Sequence, residues 1–414
     1  MKAKNLLFIA LSAILVLSCK KEGCTDQDAT NYDENAKNDD GSCVYDDPTD
    51  DPSGDDGGVS EETIELSGSI SEPTTLGKVS GTTGLADYVI TGHLRVYAAL
   101  KIEPGVKIVV KAGNAITIYD DGSFDATGTN SQNIDIYGEQ DVEGYWNMIR
   151  FNSSNNPNNK LIYTNIRNAG GNSTYNASVY LSGNSRLEMN NSKITKSERH
   201  GLRLASDDNR LINFTENSIY ECKLNSVVLA SLYQLTEVSS SNAVFTGNVY
   251  NAIAVGGSTM SQNFKINDVG GLIHLTGTSR INGNVEIREG VKMSMGPSAA
   301  IRVEDTGSLK MSGTSANRIT IIGDEEVEGY WSMIRYNSSN NPNNVIEYTD
   351  ISHGGGSSTY PAIIYLSGSS RLSLGNSSLN YSQRNGLDGG NDVIYEDLGG
   401  NTYTGNEGED NTLN

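Results

Sequence analysis

The stretch GYWNMIRFNSSNNPNN at residues 144–159 returns as GYWSMIRYNSSNNPNN at residues 329–344, with 14 of 16 positions identical. The offset is 185 residues. Without a gap it also carries Gly105 to Gly290, Ser182-Gly183 to Ser367-Gly368 and Gly201 to Gly386. A match sustained over that distance marks a duplication, with halves at about residues 87–201 and 272–386.

Inside each half the apolar residues alternate in short bursts. Val106, Ile108 and Val110 answer to Val291, Met293 and Met295, Ile134 and Ile136 to Ile319 and Ile321, and Leu187 and Met189 to Leu372 and Leu374. A period of two is the signature of a strand. Turns rich in Gly, Asn, Asp and Ser separate the bursts, and no helical segment is available to carry the chain between the parallel strands of an open sheet. Many short strands of this kind suit either a closed all-β domain or a solenoid in which each coil stacks on the last. Hairpin dipeptides occur at Asp121-Gly122 and Asn385-Gly386 but do not recur at the fixed spacing of a propeller blade, which favours the solenoid. Phe214-Thr215-Glu216-Asn217 returns as Phe245-Thr246-Gly247-Asn248 and as Tyr403-Thr404-Gly405-Asn406. A recurrent Asn at a coil corner can bond to the coils above and below it.

Glu103-Pro104-Gly105-Val106, the run from Gly144 to Phe151, and Leu161 to Ile166 with Gly170-Gly171 resemble successive coils of the pectin-lyase-like family. The likeness covers most of residues 65–405 and implies an all-β, right-handed parallel β-helix solenoid over residues 63–414. That family often has Gly where Met148 and Met333 stand, a departure that alters the local surface. Its enzymes cleave acidic polysaccharides with carboxylates that hold Ca²⁺ and an Arg or Lys base, or with paired aspartates near His and Arg. The matching candidates here are Glu139, Asp141 and Glu143 leading to Arg150, and Asp324, Glu326 and Glu328 leading to Arg335. Asp207-Asp208 has no Gly-His-Gly partner, and none of His93, His200, His274 and His353 is preserved across the duplication. A solvated acidic turn therefore accounts for the carboxylates better, and no catalytic residue is assigned.

At the N-terminus, Lys2 and Lys4 precede an apolar run from Leu6 to Leu17 that is short for a bilayer span, so residues 1–18 read as a signal peptide. Val16-Leu17-Ser18-Cys19 resembles a bacterial lipobox, which implies diacylation of Cys19 and cleavage just before it. Lys20 and Lys21 follow rather than an aspartate, and by the sorting rule of lipoproteins this favours the outer membrane, with the cell-surface and periplasmic faces both open. Cys24 and Cys43 bracket a short acidic segment in an oxidising compartment and are expected to pair. Residues 19–45 hold the lipid cysteine and this motif, which resembles a Cys-bracketed, Asp-rich repeat of secreted bacterial proteins. Asp26, Asp28, Asp33, Asp39 and Asp40 offer the hard oxygens that Ca²⁺ takes, although not at EF-hand spacing. A calcium site and a knot held by the disulfide alone both stand open; no other cofactor is expected. Residues 46–62 are Asp, Pro, Gly and Ser in the main, an acidic linker expected to stay disordered. Cys222 is left without a partner and reads as a buried filler.

The formal charge is −21, from 30 Lys and Arg against 51 Asp and Glu, and loss of residues 1–18 removes two lysines to leave −23. Nucleic acid and anionic lipid surfaces are poor partners for such a chain. The feature retained by both copies is a strip. If Ile149 and Phe151 point inward, pleating sends Trp146, Met148 and Arg150 outward, with Trp331, Met333 and Arg335 in the second copy. An exposed indole beside a guanidinium can stack on a sugar while bonding its hydroxyls or carboxylates, with Asn152 to Asn159 as a polar rim. Trp146 closing a coil corner and Arg150 pairing with a neighbouring acid is nonetheless the favoured reading of these residues. Two such strips would permit bivalent attachment to a polymer. The expectation is a non-catalytic outer-membrane lipoprotein that acts as an adhesion or glycan-binding scaffold, attached to the membrane through its lipid. A polysaccharide lyase or hydrolase is the alternative, and a structural envelope spacer the third reading.

Overall fold

The computed structural model describes residues 21, 23–27, 29, 31–39, 41–43, 63–79 and 85–413. The chain divides into two units, Met1–Gly58 and Val59–Asn414. In the first, Cys24 and Cys43 are joined by a disulfide with their Cα atoms 4.8 Å apart. The Lys21 ammonium sits 2.5 Å from the Asp33 carboxylate. The leader, Cys19, Asp28, Asp40 and the linker assigned to residues 46–62 lie outside the described residues.

The second unit is a parallel β-helix solenoid. A typical coil contributes three short strands, such as Ile134–Gly138, Ile149–Asn152 and Lys160–Ile162, followed by Thr164–Arg167, Ala177–Ser182 and Arg186–Asn190 in the next. Each strand pairs in parallel with its equivalent in the neighbouring coil. Among the described residues the antiparallel pairing is confined to the Thr129–Gln132 bridge. The interior follows from the period of two, since register alignment puts like on like. Ile108, Ile136, Ile166, Ile194 and Ile219 form one column, each buried and each opposite the next. Rungs about 4.8 Å apart bring their branched side chains into continuous contact. One apolar cluster runs from Leu76 to Leu387 through both copies, so the halves share an interior rather than forming separate globules.

Polar corners close the coils where an apolar residue cannot. The Asn217 carboxamide accepts the Ser192 N–H at 3.1 Å and donates to the Met189 carbonyl at 3.0 Å. Asn248 does the same with Cys222 N–H and Ile219 O, and Asn406 with Ser382 N–H and Leu379 O. All three stand in the repeated Phe/Tyr-Thr-x-Asn phrase, and each satisfies two backbone groups of the preceding coil.

The two copies are threaded differently onto one stack. In the first, Lys107–Val110 belongs to the first strand ladder of the coil and pairs with Ile134–Gly138. Its counterpart Lys292–Met295 instead continues the second ladder of the first copy, through Asn225–Leu229, Tyr250–Val255 and Leu272–Leu275. The shift occurs in the joining segment, which holds the 3₁₀ turn Leu232–Glu237. As a result the second-copy equivalent of Ile149–Asn152, strand Met333–Asn337, lies in a separate six-stranded sheet.

Candidate functional site

The exposed indoles expected from the pleat are not exposed. Trp146 and Trp331 are fully buried in the solenoid interior. Each ring N–H donates to a backbone carbonyl, Arg167 O and Ser352 O respectively, at 2.8 Å. Alternation fails because Trp146 is not part of the strand. The strand opens at Ile149, and the turn before it directs the indole inward. Met148 does face outward but is covered, in a small cluster with Ala115, Ala177 and Tyr180 that Tyr175 packs against. Met333 is buried as well. The strip as first drawn is thereby reduced to its arginines.

Arg150 and Arg335 are half-buried on the outer face, and their immediate partners correspond at the 185-residue offset. The Arg150 guanidinium lies 3.8 Å from the centre of the Tyr175 ring, and that of Arg335 lies 4.0 Å from Tyr360. Nε of Arg150 donates to Ser182 and Nη2 to Asn152, while Nε of Arg335 donates to Ser367 and Nη2 to Asn337. Tyr180 and Tyr365 pack against the first tyrosines with ring centres 5.3 and 5.1 Å apart. All these partners are neutral. Among the described residues neither guanidinium has a carboxylate within 4.0 Å, and Nη1 of each is left without a protein acceptor.

The loop that carries the tyrosine is built for this placement. Asn172 turns it by accepting the N–H groups of Thr174 and Tyr175, and Ser357 accepts those of Thr359 and Tyr360. Its glycines permit a close crossing, since a Cβ on Gly171 would collide with the Gly144 carbonyl and one on Gly356 with that of Gly329. In the first copy the arginine opens on a cleft of 160 Å³ bordered by His93, Thr117, Tyr119, Asn147 and Asn172. His93 bonds to Thr117 at 2.8 Å, and burial, with Arg95 and Arg150 nearby, holds its pKa below the usual histidine value. Tyr175, Tyr180 and Ser182 were not anticipated from the sequence as site residues, although each has an identical counterpart at the 185-residue offset.

The acidic turn is tied down in the first copy. Glu139 pairs with Lys111 and accepts from the Tyr145 hydroxyl, Asp141 pairs with Lys196 and accepts from Asn168, and Glu143 lies 3.4 Å from Lys223. The hydrogen bonds from Lys111 and Lys196 hold Glu139 and Asp141 below the ordinary carboxylate range. Among the described residues no three His, Cys, Asp or Glu side chains gather as a metal site would require, Asp26, Asp33 and Asp39 included. Cys222 is buried, and burial pushes its thiol up to about 12. A broader concavity of 350 Å³ on the first ladder presents Lys107, Tyr137, Arg167 and Lys193. Of these only Lys107 has a like counterpart, the others standing opposite Ile322, Ser352 and Ser378.

Compared with protein-family models, with curated proteins and with solved structures, the chain finds no match.

Proposed function

We propose that this chain is a non-catalytic, lipid-anchored protein of the bacterial outer membrane that binds glycans on the outer face of a pectin-lyase-like β-helix and serves as an adhesion scaffold. The observation that carries the reading is the guanidinium held twice, in the same neutral cradle, with its outer edge unfilled. A planar fork with a tyrosine ring beside it and an open outer edge suits a sugar bearing hydroxyls or an acidic group. The leader and Cys19 support the anchor.

The test is a glycan array probed with the secreted part of the chain, followed by titration of the ligands retained. Arg150→Ala and Arg335→Ala are each expected to weaken binding at least tenfold for a ligand of that site, in line with loss of a charge-assisted bidentate contact. Incubation with acidic polysaccharides, with and without Ca²⁺, is expected to yield no new reducing or unsaturated ends. Their appearance would move the chain to the lyases or hydrolases, and no retention of any glycan would leave it a spacer. Palmitate labelling that persists in Cys19→Ala would remove the anchor.

A further inference from the structure

The outward row that contains Arg335 carries its three arginines on consecutive coils, whereas the three arginines of its first-copy equivalent are separated by a threonine and a tyrosine. Parallel register sets Arg280 opposite Arg302, and Arg302 opposite Arg335, on three successive coils. The row continues to Tyr365 and Asp388. Arg280 is exposed, Arg302 and Arg335 half-buried. Neighbouring rungs are about 4.8 Å apart, so three like charges stand in line over about 10 Å, an arrangement that destabilises a sheet when nothing offsets it.

Glu304, two residues along the strand from Arg302, and Asp388, at the end of the row, offset it only without forming ion pairs. None of the three has a carboxylate within 4.0 Å among the described residues, a state they share with Lys292, Lys310, Arg371 and Arg384 of the same copy, whereas Arg288 and Arg318 are paired. Nε of Arg302 is buried without an acceptor. On one side the row is bordered by Ala300 and Met333. On the other stands Glu304, whose carboxylate is taken by Asn337.

The first copy supplies an internal comparison. There the equivalent row reads Arg95, Thr117, Arg150, Tyr180, Arg203, and Thr117 is bonded to His93, which breaks the run of cations. Along this row the copies have diverged in charge at two positions, Thr117 against Arg302 and Arg203 against Asp388, and the second copy gathers its arginines on adjacent rungs.

We infer that Arg280, Arg302 and Arg335 form a binding ridge for a linear sulfated polysaccharide, lying along the stack of coils with sulfate groups on consecutive guanidinium forks and a sugar face toward Tyr360 and Tyr365. An open ridge takes an extended ligand rather than a compact anion. One cation per rung calls for dense anionic groups, and guanidinium forks match the oxygens of such groups in pairs. The inference deepens the glycan-binding reading for the second copy and shares with it only Arg335.

The probe is dextran sulfate, with unmodified dextran and a polyuronate as comparators, titrated against the secreted part of the chain at several salt concentrations. Binding of dextran sulfate is expected to weaken at least tenfold in Arg302→Thr, which installs the residue the first copy already tolerates, and further in Arg280→Ala with Arg302→Thr. The slope of log affinity against log salt should fall by about one for each arginine removed. Glycans that depend on Arg150 should bind these variants as before. Unchanged affinity of Arg302→Thr for dextran sulfate, equal retention of the polyuronate, or no binding by the parent chain would each overturn the ridge. Retention of other glycans through Arg150 in any of those cases would leave the broader reading standing.

Discussion

Trp146 is a packing residue of the coil, in keeping with the corner-closing reading of its sequence position and not with an exposed ligand platform. Its identity in both copies reflects packing. With the indole fully buried and its N–H bonded to Arg167 O, Trp146→Ala removes a large part of the local interior and should cost about 3–5 kcal/mol in chemical denaturation. If the indole were a ligand platform instead, stability would hold and binding alone would fall. His200 offers a second residue-level outcome. It is buried, and burial together with Arg203 lowers its pKa to about 4. Its Nδ1 accepts the Asn225 N–H, a bond that protonation there removes. Because the folded value lies below the unfolded one of about 6.5, the unfolded chain binds more protons between them. This contribution to stability is complete above pH 6.5 and is lost as pH falls toward 4, by about 3 kcal/mol in all. His200→Asn, the residue found at position 385, should flatten that part of a stability-against-pH curve, and an unchanged slope would show that His200 is not its source.

Among the elements, the corners were the most legible part of the sequence, because Asn217, Asn248 and Asn406 share a phrase and a geometry. Asn217→Ala leaves the Ser192 N–H and the Met189 carbonyl buried without partners, so a loss of about 2–4 kcal/mol is expected in urea titrations. A loss under 1 kcal/mol would mean that water or a shifted backbone replaces the amide. The strands were legible for a related reason, since stacking like on like leaves the alternation Ile108, Val110 or Ile134, Ile136 visible in the chain. The site was legible only in part. Arg150 and Arg335 belong to strands, whose facing follows from the pleat, whereas Tyr175 and Tyr360 reach them from a loop whose path depends on Gly171 and Gly356 passing close to a distant backbone. No local periodicity encodes that crossing; only the offset of 185 marks the tyrosines. Nor could it reveal that the copies enter the stack on different ladders, because that depends on the joining segment and not on either copy.

At the scale of the whole molecule, the change of ladder removes the simplest form of bivalent attachment, in which both arginines would sit on one sheet. The rows of Arg150 and Arg335 belong to different sheets and have drifted in charge, which favours two ligand preferences over one repeated contact. The chain also combines two sources of stability. The β-helix has a continuous apolar interior from Leu76 to Leu387, while the first unit, with few buried residues among those described, has the Cys24–Cys43 bond. A cross-link closing a loop with a sequence separation of 19 contributes about 3 kcal/mol by limiting the unfolded chain, a large share where the described residues bury so little. No cysteine of the β-helix takes part, since Cys222 is unpaired and buried. Reduction should therefore expose residues 23–43 to protease while the melting of the β-helix, followed by circular dichroism, stays where it was. A coupled fall in the β-helix transition on reduction would show that the two units depend on each other for stability, and the separation of roles argued from their composition would fail.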